Sequence, residues 1–154
     1  MTDTLRAADT AQRALEAVDD TLVRALAGSG ADLLARRGTV GPVRRRYLAA
    51  AAKAATHADR RLVALRAELA TLDEEPHPTV SLAVRRIAFA DPGGGAMFSE
   101  FTFNRRIERA LDEVGVWAHR VIRVQERLKQ GMADAHERLA ALRTQRPPRA
   151  FVSG

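Results

Sequence analysis

NRRIERALDEVGVWAHRVIRVQERLKQGMADAHERLAALRT, residues 104–144, decides the fold of this 154-residue chain. Ile107, Val114, Val121, Leu128, Ala135 and Leu142 recur every seven residues. Leu111, Ala118, Gln125, Met132 and Leu139 do the same four positions on. Two rows offset by four and three residues make one continuous stripe along a helix, the heptad signature. The expected helix is roughly 60 Å long at 1.5 Å per residue, far more than a short amphipathic helix needs. Val116, Trp117, Ile122 and Val124 widen the apolar surface in the middle, which should be the thick part of the fold. The C-terminal third is narrow and suited to projecting as one strand of a two-stranded coil. Gln125 is the one polar residue in these rows. A buried polar residue in a seam can fix register and oligomer state, and its neighbours Val121, Ile122 and Val124 favour burial over an exposed seam.

Working outward, a second heptad pattern lies upstream. Leu48, Ala55, Leu62 and Leu69 form one row, and Ala51, Ala58, Leu65 and Leu72 the other. Pro42 suits the first turn of a helix, so this element should span residues 42–72. Its first half is alanine and its second half leucine, which predicts a close approach to a neighbour followed by a wider one. A first helix over residues 3–28 carries the stripe Ala8, Ala11, Leu15, Val18, Leu22 and Ala25, and Gly28-Ser29-Gly30 should stop it. A short helix can follow at 31–37. Residues 73–78, with two prolines, read as a loop.

Residues 79–103 break the helical pattern. Val80, Leu82 and Val84 alternate with Ser81 and Ala83, Ile87 and Phe89 follow, and DPGGG at 91–95 is a turn sequence. Met97, Ser99, Phe101 and Phe103 then alternate with Phe98, Glu100 and Thr102. Two runs of period two around a Pro/Gly turn read as a β-hairpin at about 80–103. The competing reading is a short helix over 80–90 with the last helix starting early, at Ser99 or Glu100. Phe89, Phe98, Phe101 and Phe103, with Trp117, are the candidate aromatic hairpin or pocket residues. The expected fold is therefore mainly α: an elongated antiparallel helical bundle of coiled-coil-like helices in a single domain, residues 1–145. A hairpin or loop at 79–103 interrupts it, and residues 146–154 form a flexible tail.

Chemistry is thinly represented. There are no cysteines, which excludes disulfides, thiolate metal sites and a cysteine nucleophile. Glu74 and His77 have a di-metal spacing but sit in the proline loop, and no histidine pair has ligand spacing. No serine lies in a nucleophile elbow, and the triple glycine is not followed by Lys-Ser/Thr as a phosphate-cradling loop requires. The expectation is a non-enzyme without cofactor or metal. No apolar run approaches the roughly 20 residues that cross a bilayer, and the first residues lack a signal-peptide pattern, so a cytoplasmic location is expected.

Charge is uneven. The net charge of +6 rests on 23 Arg and 2 Lys. From 36 to 66, nine basic residues oppose the single acid Asp59, a local +8, whereas the first 35 residues carry six acids and three arginines, a local −3. One reading makes Arg36, Arg37, Arg44, Arg45, Arg46, Arg60 and Arg61 a phosphate-binding footprint. The other, which explains the asymmetry without a ligand, lays the basic second helix against the acidic first one or an acidic partner. An Arg-rich, Lys-poor composition is also what a GC-rich genome produces. The functional expectation is a structural or adaptor protein in a larger bacterial or phage assembly, with a protein partner and self-association. Its interaction seam is Leu48, Leu62, Leu65, Leu69, Leu111, Val114, Val121, Gln125, Leu128 and Leu139. The alternative is a nucleic-acid-binding accessory protein using the Arg-rich helix, and a weaker third is a carrier with an apolar pocket near Trp117.

Overall fold

In a computed structural model the described residues are 2–32, 42–72 and 100–145, and they form three helices with no strand among them. These are α1 (Thr2–Asp32), α2 (Pro42–Ala70) and α3 (Glu100–Thr144). The fold is mainly α. Both α2 and α3 pack on α1, and the backbones of α2 and α3 do not come alongside each other.

The heptad rows are what each helix buries. On α1, Ala8, Ala11, Leu15, Val18, Leu22 and Ala25 are all fully buried. Thr4 extends the stripe one step towards the N-terminus, with Ala14 beside it. On α2, Leu48, Ala51, Ala55, Ala58, Leu62, Leu65 and Leu69 are buried, while Leu72 lies in the turn beyond the helix and is exposed. On α3 the buried rows are Ile107, Val114, Val121, Gln125 and Leu128. The small residues of α1 and of the first half of α2 remove little apolar area each but let backbones approach closely, so the seam gains from dispersion contacts as much as from large side chains.

Direction follows from connection length and from two side-chain contacts. Nine residues separate Asp32 from Pro42. They reach at most about 36 Å, less than the roughly 43 Å length of α2, so α2 runs back antiparallel along α1. Gln125 of α3 donates to Asp9 of α1. Arg44 of α2 reaches Asn104 of α3. The start of α3 therefore lies beside the start of α2, and α3 also runs antiparallel to α1. Counting back from the Asp9–Gln125 pair, Thr2 comes about level with Met132, after which α3 has run past α1.

Two boundaries differ from the sequence reading. α1 does not stop at Gly28-Ser29-Gly30 but continues to Asp32. Glycine lowers helix propensity by about 1 kcal/mol without barring helical backbone angles, so favourable neighbours can carry a helix through it. The β-hairpin is not supported: residues 100–103, the end of its second strand, are the first turn of α3. The period-two alternation there spans too few residues to specify a strand, whereas Phe103 heads a helical row that continues at Ala110, Trp117 and Val124. Extending the helix by that turn buries Phe103, which is 6% exposed. The remainder of the expected hairpin (79–99), the possible short helix at 33–37 and the tail at 146–154 lie outside the described residues.

Candidate interaction surfaces

Most of the expected interaction seam is internal. Leu48, Leu62, Leu65, Leu69, Val114, Val121, Gln125 and Leu128 are buried within the chain, and Leu111 is half-buried against the same core. Leu139 is the exception at 54% exposed, and Leu142, the next residue of the stripe, is 64% exposed. The rows keep their spacing through Met132, Ala135, Leu139 and Leu142, but among the described residues no helix covers Ala135, Leu139 and Leu142. Residues 133–144 form an overhang of about 18 Å in which every residue is exposed.

The character of the apolar face changes where the overhang begins. Within the bundle α3 presents three apolar rows: the two heptad rows and the flanking row Phe103, Ala110, Trp117 and Val124. The third row stops there, its next positions being Gly131 and Arg138. A three-row face suits a helix that touches more than one element, and a two-row face suits a single partner helix.

Gln125 is buried, 6% exposed, and its amide nitrogen donates to the exposed Asp9 carboxylate at 2.8 Å. This pair ties α3 to α1 in one register. A shift of three or four residues would separate the Gln125 amide from this acceptor.

Arg44 is not on the surface. It occupies a buried seam position of α2, 2% exposed, donates to the Asn104 side-chain oxygen, and stacks over the Phe103 ring at 5.0 Å from its centre. These contacts spend its guanidinium on joining α2 to α3, which removes it from the expected phosphate-binding group. Phe103 serves the same junction. Trp117 is half-buried, packs on the core, and carries Arg120 over its ring at 4.8 Å from the centre. Phe103 and Trp117 lie about 21 Å apart along α3, so the structure does not bring these two into one pocket. Phe89, Phe98, Arg36 and Arg37 lie outside the described residues, and Phe101 is placed only by its helical backbone.

No family model, curated protein or solved structure matches this chain.

The remaining arginines of α2 are on its outer side. Arg45, Arg46, Lys53, Arg60, Arg61 and Arg66 are exposed. Arg46, Lys53 and Arg60 stand seven residues apart, directly opposite the buried seam. Arg61 donates to the His57 ring at 3.4 Å, and no ion pair engages these six cations among the described residues. Asp59, the one acid in this stretch, is buried. The helices α1 and α2 do lie together, but through their apolar rows. Asp9, Glu16 and Asp20 of α1 are exposed, and the ion pair found on α1 is the local one between Arg6 and Asp3. The acidic helix therefore does not neutralise the basic face.

Among the described residues no group of three or more His, Asp or Glu could hold a metal, and no helix is long and apolar enough to cross a membrane.

Proposed function

We propose that this chain is a non-enzymatic structural or adaptor protein that works by helix–helix docking in a larger assembly. The observation that carries this reading is the overhang of α3. Leu139 and Leu142 hold the heptad spacing of a packed seam at 54% and 64% exposure. Leucines kept in register over two turns beyond the last described helix that covers the rows form an exposed apolar strip that a further helix would cover. The bundle made by α1, α2 and the first two-thirds of α3 serves as the base that holds the strip out. Oligomeric contacts and a cytoplasmic setting, as in a bacterial or phage assembly, belong to the same proposal.

Photo-crosslinking in the native host tests it. A photoreactive residue at Leu139 or Leu142 should give discrete protein adducts, and the same residue at Arg13, on the exposed side of α1, should not. Equal adduct formation at Arg13 and Leu139, or none at either, would count against the reading.

A second reading is supported by the unneutralised cations of α2. Arg46 to Arg66 covers about 30 Å of helix, long enough to follow several phosphates of a nucleic-acid backbone. A duplex DNA shift assay with a salt titration tests it. Four to six phosphate contacts would give a slope of log K against log salt of about −4 to −5, and no binding at low salt excludes it.

A further inference from the structure

The residues that flank the overhang seam say which kind of helix it accepts. In heptad terms Met132 and Leu139 occupy one seam row and Ala135 and Leu142 the other, so the positions bordering a partner helix are Lys129, His136 and Arg143 on one side and Gly131 and Arg138 on the other. All are exposed, and none is acidic. The acids of this stretch sit on the outer side of the helix. Asp134 accepts from Gln130 at 2.9 Å, and Glu137 lies directly opposite the seam. His136 is turned back along its own helix, its Nδ1 lying 2.9 Å from the Met132 carbonyl oxygen.

A second copy of this overhang is a poor occupant in either orientation. Aligned parallel, Arg138 of one copy borders Arg143 of the other. Aligned antiparallel, like sides meet, which sets Arg138 near Arg138 and Lys129 near Arg143. Like charges at these positions destabilise a pair and act against the wrong partner. We infer that the overhang docks a helix of a different protein, one with leucine-type residues in its seam and glutamate or aspartate on both flanks. This deepens the proposed function and rests on it: the apolar rows supply the attraction, and the three cationic flanking side chains Lys129, Arg138 and Arg143 select the partner.

The test uses the full chain and two synthetic three-heptad helical peptides with leucine seams, one flanked throughout by glutamate and one by lysine. Binding is read by fluorescence anisotropy, and the oligomeric state of the chain alone by sedimentation. The acidic peptide should bind at least about tenfold more tightly than the basic one. The double variant Leu139→Glu/Leu142→Glu, exposed at both positions and so able to keep its fold, should lose that binding. Retention of binding by the double variant would show that the acidic peptide sits on the cationic face of α2 instead, and would overturn the inference. Equal binding of both peptides, or none of either, would also overturn it. A chain that dimerises and loses the dimer in the double variant would overturn the choice of partner while leaving the overhang as the docking element. Absence of host crosslinks at Leu139 would be the failure of that broader reading.

Discussion

Leu128 and Leu142 belong to the same heptad row of the same helix, two heptads apart, and the structure gives them opposite surroundings. Leu128 is 4% exposed and Leu142 is 64% exposed. Truncating each to alanine therefore measures where the bundle ends. At Leu128 the loss combines transfer of the side chain with the cavity left behind, about 3 kcal/mol within the usual span of about 2–5. At Leu142 only about a third of the side chain is covered, so of the roughly 1.5–3 kcal/mol that full burial contributes about 0.5–1 is at stake. The better helix propensity of alanine offsets about 0.2 kcal/mol of that. Urea unfolding followed by circular dichroism should show a large shift of midpoint for Leu128→Ala and a small one for Leu142→Ala, with similar slopes. In thermal melts the two should differ by roughly 5–10 °C. Comparable losses at both positions, at a concentration where the chain is monomeric, would mean that residues 133–144 are packed within the chain, and the overhang would no longer be available to a partner.

Arg44→Ala should cost about 2–4 kcal/mol, because it removes a charged hydrogen bond to Asn104, a stacked contact with Phe103 and the packing of the aliphatic stem. Arg44→Met restores the stem and should recover at least half of that in the same unfolding assay. Gln125→Leu should leave stability within about 1 kcal/mol of the parent, since the exposed Asp9 regains water, while Gln125→Ala should cost about 1–2 kcal/mol through the lost packing. Gly131 is a helical glycine with open space where a Cβ would stand. Gly131→Ala should therefore raise amide hydrogen-exchange protection of residues 132–144 by about two- to fivefold and leave the unfolding midpoint nearly unchanged.

The stripes on all three helices were legible in the sequence because steps of three and four are dictated by helical geometry alone. Ala8 to Ala25 and Leu48 to Leu69 are buried as the spacing requires, and so are the rows from Ile107 to Leu128 apart from the half-buried Leu111 and Ala118. Which seams face inward was not legible. A heptad row looks the same whether it packs on its own chain or on another, and only the length mismatch between α1 and α3 separates Leu128 from Leu139. The strand-like run ending at Phe103 misled for a related reason: its last four residues, 100–103, fit period two and the first turn of a helix equally well, and the deciding signal was the row that Phe103 begins. Arg44 carries no local mark of burial. Its neighbours Arg45 and Arg46 are exposed, and its position in the seam is visible only when the rows of Leu48 and Ala51 are extended backward one step. The basic flanks of the overhang were readable once the seam positions were numbered, but their meaning depended on the seam being uncovered.

The central place of α1 has a consequence for how the chain assembles. α1 and α2 are joined by nine residues, so their pairing closes a short loop, whereas the contact between Asp9 and Gln125 spans 116 positions. Loop-closure entropy favours the α1–α2 hairpin as the early nucleus and places docking of α3 late. Folding rates should accordingly respond more to truncation of Leu62 or Leu65 than of Val121, and unfolding rates the reverse. On the ribosome the interval is longer still. The hairpin has emerged well before Gln125 is synthesised, and the side of α1 that α3 will cover stays open to solvent, and to any other apolar helix nearby, until the last third of the chain arrives.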